Sequence, residues 1–287
     1  MKYTGPMRFA HRGFVQGGPE NTPDAFQAAA DFGTEGIEID VHRTKDNKVI
    51  VNHDDDLASI TYGTETQTGA LINDLNADEI LALPVLYKYH IWPKEPTLEG
   101  EDADNNRARK ILHGELPDST PLDMQDKVTH LMSFVDFEKW MSSKESNNIV
   151  AEVEIKDLGC VDRILDILKD SPNVSRYILF SGIPAVVDEI QAVCKERGKP
   201  EGLRLGANIR FLTDETKALV EKSDFWEVGL NAEYTEEDVA WLNSRGVEVF
   251  SNLGDYPSWW EKMTSMNTRG FKTNFPEAFT EWWNKNK

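Results

Sequence analysis

From residue 148 to the C terminus, short apolar runs alternate with amphipathic helical patterns at near-regular spacing. Strand patterns at 148–156, 176–181, 203–209, 226–232, 246–252 and 270–274 are separated by helical patterns at 160–169, 184–196, 213–222, 235–244 and 257–265. Pro276 opens a last helix rich in aromatics. Such alternation builds parallel sheet, because each helix carries the chain back to the strand's starting edge. The N-terminal part adds two more units. Met7 to Ala10 form an apolar strand that runs into His11-Arg12-Gly13, and Gly36 to Val41 form another. Between them Thr22 can cap a helix, Pro23 suits its first position and Asp24 its positive end. Phe26, Ala29, Ala30 and Phe32 give its buried stripe, and Gly33 ends it. Strands thus begin near 7, 36, 148, 176, 203, 226, 246 and 270, which makes eight. Eight βα units in 287 residues predict one α/β domain, a closed (β/α)8 TIM barrel, with its site at the C-terminal strand ends.

Val49 to Val51 form an apolar run that does not count among the eight. Seven residues, His42 to Lys48, separate it from Val41, whereas a parallel crossover needs a dozen or more. The run is therefore expected to fold back antiparallel as a hairpin arm ending in Asn52-His53-Asp54. From Asp55 to Asn147 the chain is irregular, with a short helix within 73–83, an aromatic patch at 86–92, a polar loop at 99–110 and an amphipathic helix from Phe134 to Met141. About 90 residues stand where a βα unit needs roughly 30. Residues 84–131 are accordingly read as an insertion after the hairpin, either a cap that sets substrate size or a surface elaboration.

On a period of two, Glu38 and Asp40 share one face of their strand, and Glu152, Glu154 and Lys156 share one face of theirs. A lone Glu-x-Asp is a weak sign, since strand ends often carry solvated acids. Glu38, Asp40 and Glu154 together offer oxygen-only ligation to one divalent metal ion, Mg²⁺ or Ca²⁺, or Mn²⁺. Glu152, one step deeper, reads as a group behind the ligands or a salt-bridged barrel acid. His11 and His53 can serve as general base and general acid, because imidazole titrates near neutrality. His42, His90, His113 and His130 are read as structural. Arg12 and Lys156 suit phosphate oxygens, or else neutralise the neighbouring carboxylates. Asp54 could orient His53 or cap the next turn. A metal, two histidines and two cations at one mouth fit phosphodiester cleavage.

The net charge of −19 with a pI near 4.7, and no basic run, disfavours nucleic acid and anionic lipid as partners. Two cysteines, Cys160 and Cys194, are isolated thiols and not a disulfide framework or a zinc set. No apolar run reaches the roughly 18 residues that span a bilayer, and the first residues lack a signal-peptide core. A soluble protein is expected, either cytoplasmic or secreted with its signal removed, of undetermined oligomeric state.

The motifs AHRG (10–13), PENTPDAF (19–26), GIEIDV (36–41), the Thr44/Asp46 turn, NHD (52–54) and EIK (154–156) resemble the glycerophosphodiester phosphodiesterase family, within the PLC-like phosphodiesterase superfamily. Their order and spacing match apart from the long segment before EIK; VFSNLG (249–254) and GFKTNFPEAF (270–279) match loosely. The resemblance implies His11 and His53 as the catalytic pair, Glu38, Asp40 and Glu154 as metal ligands, and Arg12 and Lys156 on the substrate phosphate. It also implies release of sn-glycerol 3-phosphate and an alcohol from a glycerophosphodiester. The chain departs from the family at Asn274, where Asp is usual, at Ala58-Ser59 after the HD motif, where Asp-Arg is usual, and at Ser251-Asn252-Leu253, where Thr-Val-Asn is more common. Two other functions compete: a phospholipase C- or D-like enzyme on intact lipid, and a non-catalytic phosphodiester-binding barrel.

Overall fold

The computed structural model describes residues 3–96, 110–111, 114–230, 234–252 and 254–287. Its main sheet begins with β1 (Met7–His11) and β2 (Gly36–Arg43) and continues through β6 (Val150–Ile155), β7 (Tyr177–Phe180), β8 (Arg204–Ile209), β9 (Glu227–Leu230), β10 (Glu248–Ser251) and β11 (Gly270–Thr273). All neighbouring pairs among these eight strands are parallel. β1 pairs with β11 on one side and β2 on the other, which closes the barrel. The helices are α1 (Pro23–Phe32), α4 (Cys160–Leu168), α5 (Pro184–Arg197), α6 (Asp214–Lys222), α7 (Glu236–Asn243), α8 (Pro257–Ser265) and α9 (Pro276–Asn286). The predicted TIM barrel is the fold observed, and each of its strands begins within two residues of the expected position.

Local signals act as expected in α1. Thr22 accepts from the Ala25 N–H, and Gly33 closes the helix with φ 82° while its N–H reaches Ala29 and Ala30. The main apolar core lies between the strands and the helix ring, around Phe26, Ile39, Val153, Ile164, Leu179 and Phe271. The barrel interior is polar in places. Lys272 stands 2.9 Å from Glu152, so Glu152 is a salt-bridged barrel acid. Burial, and then the charge of Glu152, push the Glu227 carboxyl well above the usual carboxylate range. Cys160 and Cys194 are buried free thiols. Among the described residues, no helix is long and apolar enough to cross a membrane.

The run β3 (Val49–Val51) pairs antiparallel with the end of β2, Val41 opposite Val51 and Arg43 opposite Val49. The predicted hairpin arm is therefore present. Residues after it are less irregular than their sequence suggests. Ile50, Leu57, Ile60, Ile72, Ile80, Val85 and Leu131 bury one another in a separate apolar cluster, with α2 (Ala77–Leu81) on it. β4 (Pro84–Leu86) pairs antiparallel with β5 (Val128–His130) and draws the ends of the 84–131 segment together. α3 (Phe134–Met141) then leads back to β6. Of the polar loop expected at 99–110, only Lys110 lies among the described residues.

His90, within this segment, is buried and its Nε2 has no hydrogen-bond partner among the described residues. Burial lowers its pKa from 6.5 to about 4. Between those values the unfolded chain binds a proton that the folded chain refuses, so stability falls as pH drops from 6.5 to 4 and is unaffected above 6.5. Urea titrations at pH 7 and pH 5 should show His90→Gln losing about 2 kcal/mol less than wild type over that interval. An equal loss in both proteins would place the titration elsewhere.

Candidate active site

The register of the barrel assembles the polar residues. His11 stands opposite Glu38 across the β1–β2 pair, and Asp40 stands opposite Glu154 across the β2–β6 pair. The period-two pattern points all four into the barrel mouth. Glu38, Asp40 and Glu154 each bring a carboxylate oxygen within 4.8 Å of the other two. Glu38 and Asp40 are buried, and Glu154 is the most open of the three.

Two cations meet this cluster. Lys156 Nζ lies 2.9 Å from both Asp40 Oδ1 and Glu154 Oε2. Arg12 is buried, with one guanidinium nitrogen 3.1 Å from Glu20 and Nε 3.5 Å from Asp40 Oδ2. Burial alone would raise the Asp40 pKa, but Lys156, His53, Arg12 and His11 hold it well below the usual range. Glu38 goes the other way. Its burial, and then the charges of Asp40 and Glu154, push it well above that range. Three carboxylates against two cations leave room for further positive charge, and an all-oxygen donor set suits a hard divalent ion. The cluster could hold such an ion.

The β1 end is shaped by backbone conformation. Arg12 (φ 58°) and Asn21 (φ 55°) both occupy the left-handed region, which non-glycine residues adopt at some cost. The Arg12 N–H donates to the Glu38 carbonyl and the Asn21 N–H to the Arg12 carbonyl. Gly13, at φ 90°, passes so close to α1 that a Cβ there would lie 2.7 Å from that of Ala25. These turns aim Asn21 at the cluster, where its Nδ2 donates to Asp40 Oδ2 at 3.0 Å. The sequence reading did not single out Asn21 or Glu20. Their position inside PENTP, between a glycine turn and a helix cap, is the signal that could have found them.

His11 is buried against Glu38, with Nε2 3.8 Å from Oε2, and its Nδ1 lies 2.9 Å from Asn274 Oδ1. Burial, and then the Arg12 charge, lower the His11 pKa well below 6.5, which keeps the ring neutral. His53 is more open, and its Nδ1 is 2.8 Å from Asp54 Oδ1. Asp54 thus orients His53. The arm carrying His53 is held by His42, whose Nδ1 meets Asp157 and whose Nε2 meets the His53 carbonyl, both at 3.0 Å. His42 is structural, as expected. The charge of His53 reaches both His11 and Asp40, so the arm brings His53 towards the same mouth. Asn274 adjoins the site through His11. Asp255, absent from the sequence reading, receives Asn274 in turn through two hydrogen bonds and the Thr273 hydroxyl through a third, at the end of β11.

Comparison with known proteins agrees with this architecture. The model of the glycerophosphoryl diester phosphodiesterase family matches residues 11–278. A glycerophosphodiester phosphodiesterase of Bacillus altitudinis is 42% identical over 72 residues, 25% of this chain and 27% of that protein. A human lysophospholipase D is 46% identical over 122 residues, 42% of this chain and 36% of that protein. These matches span about a quarter to a third of the relatives' own lengths. Among solved structures, an Oleispira antarctica phosphodiesterase in complex with the product sn-glycerol-3-phosphate superposes with a TM-score of 0.71 at 17% identity, covering 97% of each chain. That likeness shows the barrel fold. With the family match running from His11 past β11, the chain belongs to the glycerophosphoryl diester phosphodiesterase family.

Proposed function

We propose that this chain hydrolyses glycerophosphodiesters to sn-glycerol 3-phosphate and an alcohol, using one divalent metal ion and the histidine pair His11 and His53. The observation that carries this reading is the meeting of three carboxylates, two cations and two histidines at one barrel mouth. Glu38, Asp40 and Glu154 would hold the metal, Mg²⁺ or Ca²⁺ with Mn²⁺ also compatible. When bound, it would supply Lewis-acid stabilisation of charge on the phosphoryl oxygens. Lys156, the more exposed of the two cations, and Arg12 behind it add positive charge for the same oxygens. His11, kept neutral, is suited to take a proton from the attacking hydroxyl or water. His53, backed by the Asp54 carboxylate, is suited to give one to the departing alkoxide as the P–O bond breaks.

The described residues of the 84–131 segment belong to the same barrel domain and serve as a cap on this mouth. Trp92 donates its N–H to the Val15 carbonyl and packs its ring against Phe275, and Gln16 bridges Pro93 and Asn274. His90 and Trp92 line a small cavity with Glu20, Asn52 and Asp54. The acidic surface favours a soluble small-molecule diester over an anionic bilayer.

Glycerol 3-phosphate release from glycerophosphocholine, with Mg²⁺, Ca²⁺ or Mn²⁺ supplied, tests this reading. Turnover should vanish after EDTA treatment and dialysis and return on adding metal. Unchanged activity without metal would remove the ion from the reaction. Activity confined to liposomal lipid would favour the lipase reading instead, and none on any diester would favour a binding barrel.

A further inference from the structure

We infer that Asp255 is a positioning residue: acting through Asn274, it fixes the tautomer of His11 so that Nε2 carries the lone pair. This rests on the reading of His11 as a proton acceptor, but its geometry stands apart from that reading. Asp255 is fully buried on the loop after β10, and Asn274 is buried at the end of β11. Three donors converge on Asp255. Thr273 Oγ donates to Oδ1 at 2.7 Å, the Asn274 backbone N–H donates to the same oxygen at 3.0 Å, and the Asn274 side-chain Nδ2 donates to Oδ2 at 2.7 Å. An ionised carboxylate only accepts, so it sorts the two ends of the Asn274 amide. Nδ2 must face Asp255, which leaves Oδ1 facing His11 Nδ1 at 2.9 Å. An amide oxygen also only accepts. His11 Nδ1 must therefore carry the hydrogen, and Nε2, on the Glu38 side of the ring, is left as the acceptor.

A lone amide next to an imidazole would not do this, because it can present either its oxygen or its NH2 group. Asn274 stands where the resembled family usually has Asp, a residue that accepts without help. In this chain the carboxylate is one residue further back in the relay, and the amide transmits its preference. The Thr273 hydroxyl also accepts from the Phe275 N–H at 2.9 Å, which pins the turn that holds both residues.

Protein labelled with 15N-histidine, studied by long-range 1H–15N correlation without substrate, reads the tautomer directly. Wild-type His11 should be the Nδ1–H form. Asp255→Asn should turn the Asn274 amide, shift His11 towards Nε2–H, and lower kcat on glycerophosphocholine by about 10²- to 10⁴-fold, the range that loss of base catalysis or of the working tautomer commands. KM should change less than about threefold, because the relay orients a proton acceptor and binds no substrate. The exchange Asp255→Asn with Asn274→Asp puts the carboxylate directly on His11 Nδ1, and should restore both the tautomer and most of kcat. Wild-type His11 in the Nε2–H form would overturn the inference, even if Asp255→Asn does not fold. So would an unchanged tautomer in Asp255→Asn, or a double variant as slow as the single one. If wild type turns over no diester, the proposed function fails while the spectra still decide the relay.

Discussion

His11→Ala and His53→Ala should each lower kcat by about 10²- to 10⁴-fold, the usual contribution of a positioned acid or base. Neither ring is built into the apolar core. His11 gives up one hydrogen bond to Asn274 and His53 one to Asp54, each worth roughly 1 kcal/mol, so the barrel should survive both changes. The double variant should be only slightly slower than the worse single one, because a base at the attack and an acid at the departure act as a unit and do not contribute additively. Rates of glycerol 3-phosphate release, with Tm measured alongside, check this. A single variant within threefold of wild type would take that histidine out of the mechanism. A multiplicative double variant would mean that the two rings contribute independently of one another.

The parts of this site that could be read from the sequence are those carried by short-range pattern. Period-two spacing put Glu38 and Asp40 on one face, and the same period tied Glu154 to Lys156. The seven-residue connection forced the hairpin, and the hairpin brought His53 to the mouth. Pattern fails where a contact joins loops from distant parts of the chain. Asn274 meets His11 across 263 residues, and nothing near Asp255 announces that it receives Asn274. The stretch from Asp55 to Leu83 lacks a period because its apolar residues pack from turns, where burial follows tertiary position and not helical or strand spacing. Arg12 shows a different limit. Its residue type speaks for a phosphate, yet the structure sets it between Glu20 and Asp40, since only the fold determines which anions lie within its reach.

Glu38→Gln and Asp40→Asn should both abolish metal binding, yet differ sharply in their effect on the metal-free protein. Each replaces one of the three carboxylates with a neutral amide, so a hard ion loses a negative charge and one of that group's two oxygens. With metal at 100 times its Kd, wild type should gain about 2.7 kcal/mol, whereas neither variant should gain measurably at the same concentration. Activity should fall with binding and should not return on raising Mg²⁺, Ca²⁺ or Mn²⁺. The metal-free stabilities separate the two positions. Burial and its acidic neighbours raise Glu38 well above the usual carboxylate range, which disfavours its charged form, so a neutral amide of equal size changes little. Asp40 is ionised and receives Lys156, Arg12 and Asn21 at once. Removing its charge leaves buried cations short of their counter-ion, a loss of about 3 kcal/mol when one partner of a buried pair is deleted. Glu154 stays beside Lys156 and limits that loss. Urea unfolding in EDTA, followed by thermal shifts on adding metal, measures both effects. Equal metal-free losses at the two positions would mean that Glu38 is charged without the ion, and a wild-type Tm indifferent to all three metals would mean that the cluster serves the fold alone.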